Sequence, residues 1–231
     1  MQSNFFVKKN ILKDKLKYNG EILLNYKIEY PEFISACRSP VCLDKINKFY
    51  REKALAYKEY CETDLFAMAV EQYKYDIENG FPVRIFEALK TYTVTYFGAC
   101  AVSIYFDRYE YTGGAHGNTL RESQTWNIKN CVTIELSQIV RCPPDYKTYI
   151  LSEVESQIEK EPEMYFENYH ELIAENFNEN SFYCTPEGIV FYYQQYDIAP
   201  YSSGIREFFI PYSVCVLNPV RLCRVLSGRY L

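Results

Sequence analysis

The chain has 231 residues, 48% hydrophobic and 24% charged, an ordinary globular composition that provides for an adequate core and argues against disorder. Its net charge of -5 disfavours a phosphate backbone, so no nucleic-acid partner is expected, while a basic protein would be drawn in. Aromatic residues make up 17%, with 24 tyrosines, a composition that suits interfaces and sugar-stacking surfaces as well as half-buried strand positions.

No run approaches the ~20 apolar residues that a membrane-spanning helix needs, and the opening MQSNFFVKKNILKDK carries lysines where an export signal needs an apolar segment. As written, the chain is expected to stay in the cytoplasm, with no membrane insertion. Nine cysteines, at 37, 42, 61, 100, 131, 142, 184, 215 and 223, are an odd number spread over the whole length. That is unlike the dense framework of a small secreted domain, so reduced and mostly buried thiols are the default reading. Cys37 and Cys42 form the one local pair whose spacing admits a disulfide or a metal clip.

Residues 1–19 are polar and lysine-rich and read as an arm or a frayed first strand. Ile22 to Tyr30 is apolar and β-prone, and Pro31 is its expected end. Asp44 follows a Ser39-Pro40 turn and is placed to cap a helix on which Ile46, Phe49, Tyr50, Ala54, Tyr57, Cys61, Leu65 and Met68 recur at steps of three or four. Asn79-Gly80 supplies the stop, with Phe81-Pro82 behind it. No heptad repeat is sustained, so this is a helix laid across a sheet, with room for a kink, and not a coiled coil.

The clearest pattern follows. Tyr92, Val94, Tyr96, Cys100, Val102, Ile104 and Phe106 share one parity, and Thr91, Thr93, Thr95, Ser103 and Asp107 the other, which is the period of a half-buried sheet. A break at Phe97-Gly98-Ala99 makes this a hairpin, since single strands rarely exceed about ten residues. Its second strand leads into Tyr109-Glu-Tyr-Thr-Gly-Gly-Ala-His-Gly-Asn118, a tightly specified turn. Thr119 to Lys129 then reads as a third strand of an antiparallel meander.

From Leu136 the pattern turns helical, and Pro143-Pro144-Asp145 caps a second helix through Ile150, Val154 and Ile158 that ends at Pro162. A short helix covers Tyr165 to Phe177. Phe182 to Thr185, the turn Pro186-Glu187-Gly188, and Ile189 to Tyr193 form a second hairpin. A loop from Gln194 to Gly204 leads into a strand from Glu207 to Tyr212, and the tail after Asn218-Pro219 reads as a short helix. The predicted class is α+β: antiparallel sheets built as a meander and a hairpin, with helices packed on one face, in two interlocked α/β parts.

Catalytic patterns are sparse. The two histidines, His116 and His170, lie far apart in the chain, so no helical metal pair exists, and there is no Gly-x-Ser-x-Gly elbow. Cys100 and His116 are the one conceivable thiol and base. His116 reads first as a structural residue whose ring pins the glycine turn, together with Gly113, Gly114, Gly117 and Asn118. No lysine follows the glycines, so they are no phosphate cradle. Tyr192-Tyr-Gln-Gln-Tyr-Asp-Ile-Ala-Pro-Tyr-Ser-Ser-Gly204 combines rigid aromatics with adaptable polar groups on a loop, the composition of a recognition surface.

Tyr111-Thr-Gly-Gly-Ala-His-Gly-Asn118, followed by Phe182-Tyr-Cys-Thr-Pro-Glu-Gly through Ser202-Ser-Gly204 and by Phe209-Ile-Pro-Tyr212, resembles the extracytoplasmic region of the RsiV family of lysozyme-sensing anti-sigma factors. Similar regions accompany PdaC-type peptidoglycan deacetylases as non-catalytic modules. The resemblance implies an N-terminal α+β part over 20–110 and a C-terminal part over 111–214, flanked by the arm at 1–19 and a tail at 215–231. It also implies a non-catalytic binding or sensing module without cofactor or metal, whose partner is lysozyme, another basic protein, or a peptidoglycan-type glycan. By position, Tyr196, Pro200 and Tyr201 would be the anchors and Ser202 a polar contact. A cell-wall-active enzyme working through unidentified carboxylates, and an intracellular protein-interaction domain, are the alternatives.

Overall fold

The structure is a computed structural model describing residues 5–35, 41–98 and 100–225. The described residues gather into two compact units, one from 5–92 with 107–120 and the other from 93–106 with 121–225.

The first unit opens with β1 (Phe5–Tyr18) and β2 (Glu21–Ser35), an antiparallel hairpin. Of the two readings of the lysine-rich start, an arm or a first strand, the described residues take the strand, and it is paired over its length. Its turn is Asn19-Gly20, with φ of 50° and 89°. Two consecutive positive φ values match the right-handed twist of the flanking strands, and Asn-Gly reaches them at least cost. Pro31 does not end β2; it pairs with Lys9 inside the strand. It lies beyond Leu24–Ile28, the stretch of β2 that pairs with the next strand, and a residue lacking an N–H is tolerated there.

Helix α1 (Val41–Tyr60) runs through a π turn (Cys61–Leu65) into α2 (Phe66–Glu78). Asp44 sits within the first turn of α1 and not at its cap, favourably placed toward the positive end of the helix dipole. The π turn adds a residue to one turn and rotates everything after it. Leu65 and Ala69 consequently point inward, while Met68, expected on the apolar face, is 49% exposed. Ala54, Tyr57, Cys61, Leu65 and Ala69 pack on Leu24, Tyr26 and Ile28 of β2 and on Phe86 and Ala88 of β3 (Phe86–Phe97). The helices carry the chain back to the starting end, so β2 and β3 pair in parallel, as a crossover connection requires.

β4 (Ala101–Tyr111) and β5 (Asn118–Asn127) follow β3 as the expected meander, and β6 (Val132–Thr133) completes a six-stranded sheet in sequence order. In the second unit come α3 (Leu136–Ile139), α4 (Tyr146–Ile158) and α5 (Tyr169–Glu175). Asp145 caps α4 as predicted, accepting from the Thr148 N–H at 3.0 Å. β7 (Phe182–Cys184), β8 (Gly188–Tyr193) and β9 (Arg206–Pro211) make an antiparallel three-stranded sheet, and α6 spans Pro219–Val225. Ile150, Val154 and Ile158 of α4 share one core with Phe191, Phe208 and Ile210 of the sheet. Gly188 is required because a Cβ there would fall 2.3 Å from the Ile210 carbonyl oxygen.

Several cysteines depart from the reduced reading. Cys142 and Cys215 form a disulfide across 73 residues, and Cys42, Cys100 and Cys131 are also disulfide-bonded. Separation in sequence misled here: a β-bridge between Val140 and Val216, with the Arg141 N–H donating to the Cys215 carbonyl at 2.8 Å, brings the two ends together. Cys37, and with it the proposed local pairing, lies outside the described residues. Among the described residues Cys61 and Cys184 are free thiols, both buried.

Candidate functional site

The glycine turn joins β4 to β5, and Arg84 ties it down. Gly113 has φ of 85°, and its carbonyl accepts from Arg84 Nη1 at 3.1 Å. The same guanidinium donates to Asp76 of α2 at 2.6 and 3.3 Å, and Gln72 adds a bond at 2.8 Å. Asp76 has no exposed surface, and the hydrogen bonds from Arg84 hold its carboxyl below the usual carboxylate range despite burial. Gly117 must lack a side chain, since a Cβ would lie 2.3 Å from the Tyr109 ring. His116 is exposed, with Nδ1 3.2 Å from the carbonyl of adjacent Gly117, a local contact. Gly114 and Asn118 are exposed beside it.

The tyrosine loop between β8 and β9 is fastened along its length. At its base the Gln194 side chain exchanges two hydrogen bonds with the Arg121 backbone, 2.8 and 2.7 Å. Next, Asp197 accepts from the Gln194 N–H at 2.7 Å while its own carbonyl accepts from Asn176 at 2.9 Å. Burial raises the Asp197 carboxyl pKa, partly offset by that backbone hydrogen bond. Ile198 and Ala199 are buried, and the Ile198 carbonyl accepts from the Phe166 N–H.

These anchors lift the predicted contact residues outward. Tyr196 is 51% exposed and held at φ of 66°, a left-handed conformation uncommon for a bulky residue. Its ring lies 5.6 Å from that of half-buried Tyr201, with the planes 35° apart. Pro200 and Ser202 are exposed in the same short span. Ser203 Oγ donates to the Met164 carbonyl at 3.3 Å, and Glu161, Glu163 and Glu167, all exposed, flank Met164 in the sequence. The site is thus an aromatic pair on a fastened loop, tied by Ser203 to a stretch that carries three exposed glutamates.

One cluster escaped the sequence reading. Arg121 on β5 stacks over Tyr105 at 3.9 Å and reaches Tyr192 at 5.7 Å, with its Nη1 paired to Glu207. Tyr183 donates to the same carboxylate at 3.0 Å. The arginine is nearly buried among these rings, and its backbone also receives Gln194, so it positions the start of the loop. Its only sequence signal was a charge on a strand next to an unusual density of tyrosines.

Thiol chemistry finds no support. Burial pushes Cys61 and Cys184 up to about 12, and Cys100 is in a disulfide, which removes it as a thiol partner for His116. Among the described residues no group of three or more His, Cys, Asp or Glu side chains could hold a metal ion, and no helix is long and apolar enough to cross a membrane.

Comparison with known proteins divides the chain in two. Residues 18–119 match the family model described as deacetylase PdaC, and residues 139–213 match DUF3298, a family described as of unknown function. No curated protein matches. A solved member of the DUF3298 family from Bacteroides fragilis superposes with a TM-score of 0.70 at 20% identity, covering 91% of both chains. A DUF3298 family protein from Pseudomonas aeruginosa gives 0.55 at 17% identity, covering 92% of both. The chain shares the fold of these two proteins, with its PdaC-like and DUF3298-like stretches in that order.

Proposed function

We propose that this chain is a non-catalytic binding module, in the manner of the RsiV-type receptors it resembles, and that the 194–204 loop docks a basic protein of the lysozyme kind. The observation that carries this reading is exposed Tyr196 beside half-buried Tyr201 on a loop whose backbone is fastened on both sides. Rigid aromatics contribute contact area while losing little conformational entropy on binding. The exposed Glu161, Glu163 and Glu167, on the stretch that Ser203 of the loop contacts, favour encounter with a cationic partner. The PdaC-like and DUF3298-like matches favour a cell-wall-related accessory role. The disulfides favour an oxidising compartment over the cytoplasm.

Calorimetric titration with lysozyme tests the proposal. The expected result is binding that falls at least tenfold in a Tyr196→Ala/Tyr201→Ala variant with an unchanged melting temperature, and that weakens with salt. Absence of binding, or equal binding by the variant, would overturn it. Muropeptide turnover by the pure chain would instead favour the enzyme reading.

A further inference from the structure

We propose a second interaction surface, on the first unit and independent of the loop: the outer edge of β1 takes up an acidic, extended peptide segment of another protein as an added strand. β1 is the terminal strand of the six-stranded sheet, and among the described residues β2 alone pairs with it. A strand paired on one side leaves alternate N–H and C=O groups on the other side without a ladder partner, which is a template for one more strand. Here the template is long. β1 spans 14 residues, contains no proline, and keeps one register with β2 from Phe5 to Leu16, before the shift at Lys17.

The other sheet edges are blunted by length or by proline. β6 has two residues and β7 three. β9 ends on Pro211, and the Gln157 side chain already donates to its Phe209 carbonyl at 3.0 Å. β1 is guarded by charge instead, with five lysines against one aspartate. Lysines on an edge deter a second copy of the same strand, since like charges would stand opposite one another. An acidic strand meets no such barrier. Lys8 and Lys9 are paired with Glu32 and Glu29, whereas the ammonium groups of Lys13, Lys15 and Lys17 make no ion pair among the described residues. Leu12, Leu16 and Tyr18 pack toward the helix-covered core, so alternation sends these three lysines to the opposite face at two-residue spacing. A strand with carboxylates at every second position would face all three. Asp14 is the one group on β1 that opposes this, both by its charge and because it accepts the Lys15 N–H at 2.7 Å.

The full chain should be titrated with a capped, dye-labelled peptide of alternating Glu and Thr, with its counterpart N-methylated at every residue, and with alternating Lys and Thr. The acidic peptide should bind about tenfold or more tightly than the N-methylated one, which keeps the charge and loses the backbone donors, and the basic peptide should not bind. Lys13→Glu/Lys15→Glu/Lys17→Glu, at exposed positions and with an unchanged melting temperature, should lose about tenfold or more, while Asp14→Ala should bind more tightly than the unmodified chain. Bound peptide should slow amide exchange along β1. Tyr196→Ala/Tyr201→Ala should bind as the unmodified chain does, which separates this edge from the loop. No binding of the acidic peptide, equal affinity for its N-methylated form, no loss on lysine reversal, weaker binding by Asp14→Ala, or exchange slowed only outside β1 would overturn the assignment. So would sedimentation showing that the chain alone self-associates and that the lysine reversal alters this, since a second copy would then hold the edge.

Discussion

Asp76 is a carboxylate cut off from solvent, and its charge persists because Arg84 and Gln72 donate to it. The same guanidinium holds the Gly113 carbonyl, so one ion pair secures both the end of α2 and the glycine turn. The consequence is a defined pH dependence. A carboxyl depressed in the folded state contributes stability that is fully present above its unfolded pKa, about 3.9, and is lost as pH falls through the lower folded value. Asp76→Asn should therefore melt lower than the unmodified chain at pH 7, with the gap closing as the pH drops below about 4. Melting temperatures measured from neutral to acid pH check this; a gap that stays constant would refute the role of the charge. The signal was present in the sequence: Asp76 follows Ala69 by two helical turns on the buried stripe, where an acidic residue needs a partner. What could not be read was that the partner would be Arg84, beyond the helix stop. The loop that carries Tyr196 and Tyr201 was legible because Pro and Gly bound it, but the pairing of exposed Tyr196 with half-buried Tyr201 depends on a left-handed Tyr196 that nothing local announces.

Among the elements, those governed by local rules were readable. The break at Gly98, the Asp145 cap and the turn at 186–188 each rest on residue preferences acting over a few positions. Asn19-Gly20 carried an equally plain hairpin signal, masked by lysines that make β1 look like an arm. Two features were not legible. The π turn shifts the buried stripe from Met68 to Ala69, and periodicity assumes the shift away. The parallel β2–β3 pairing depends on where the helices return the chain, which is a tertiary matter. The disulfide between Cys142 and Cys215 belongs to this scale too, since it closes 73 residues onto a two-residue bridge. In the chain-entropy account a loop of that size contributes about 4 kcal/mol. A Cys142→Ser/Cys215→Ser variant should lose stability of that order in urea unfolding without losing the Tyr196–Tyr201 surface. A loss below about 1 kcal/mol would show that the second unit holds that bridge unaided.

At the scale of the whole chain, the two units present different surfaces. In the first, Lys8, Lys9 and Lys27 are paired with Glu32 and Glu29, and the second offers an aromatic loop tied to a stretch with three exposed glutamates. Average charge predicted a basic partner, and the loop region fits that reading. Docking of a basic protein through residues 194–204 of the second unit can be read from hydrogen–deuterium exchange of the full chain with and without lysozyme. New protection is expected over 194–204 and 161–167 and none over β1 and β2; protection confined to other segments, or none at saturating lysozyme, would rule the docking out.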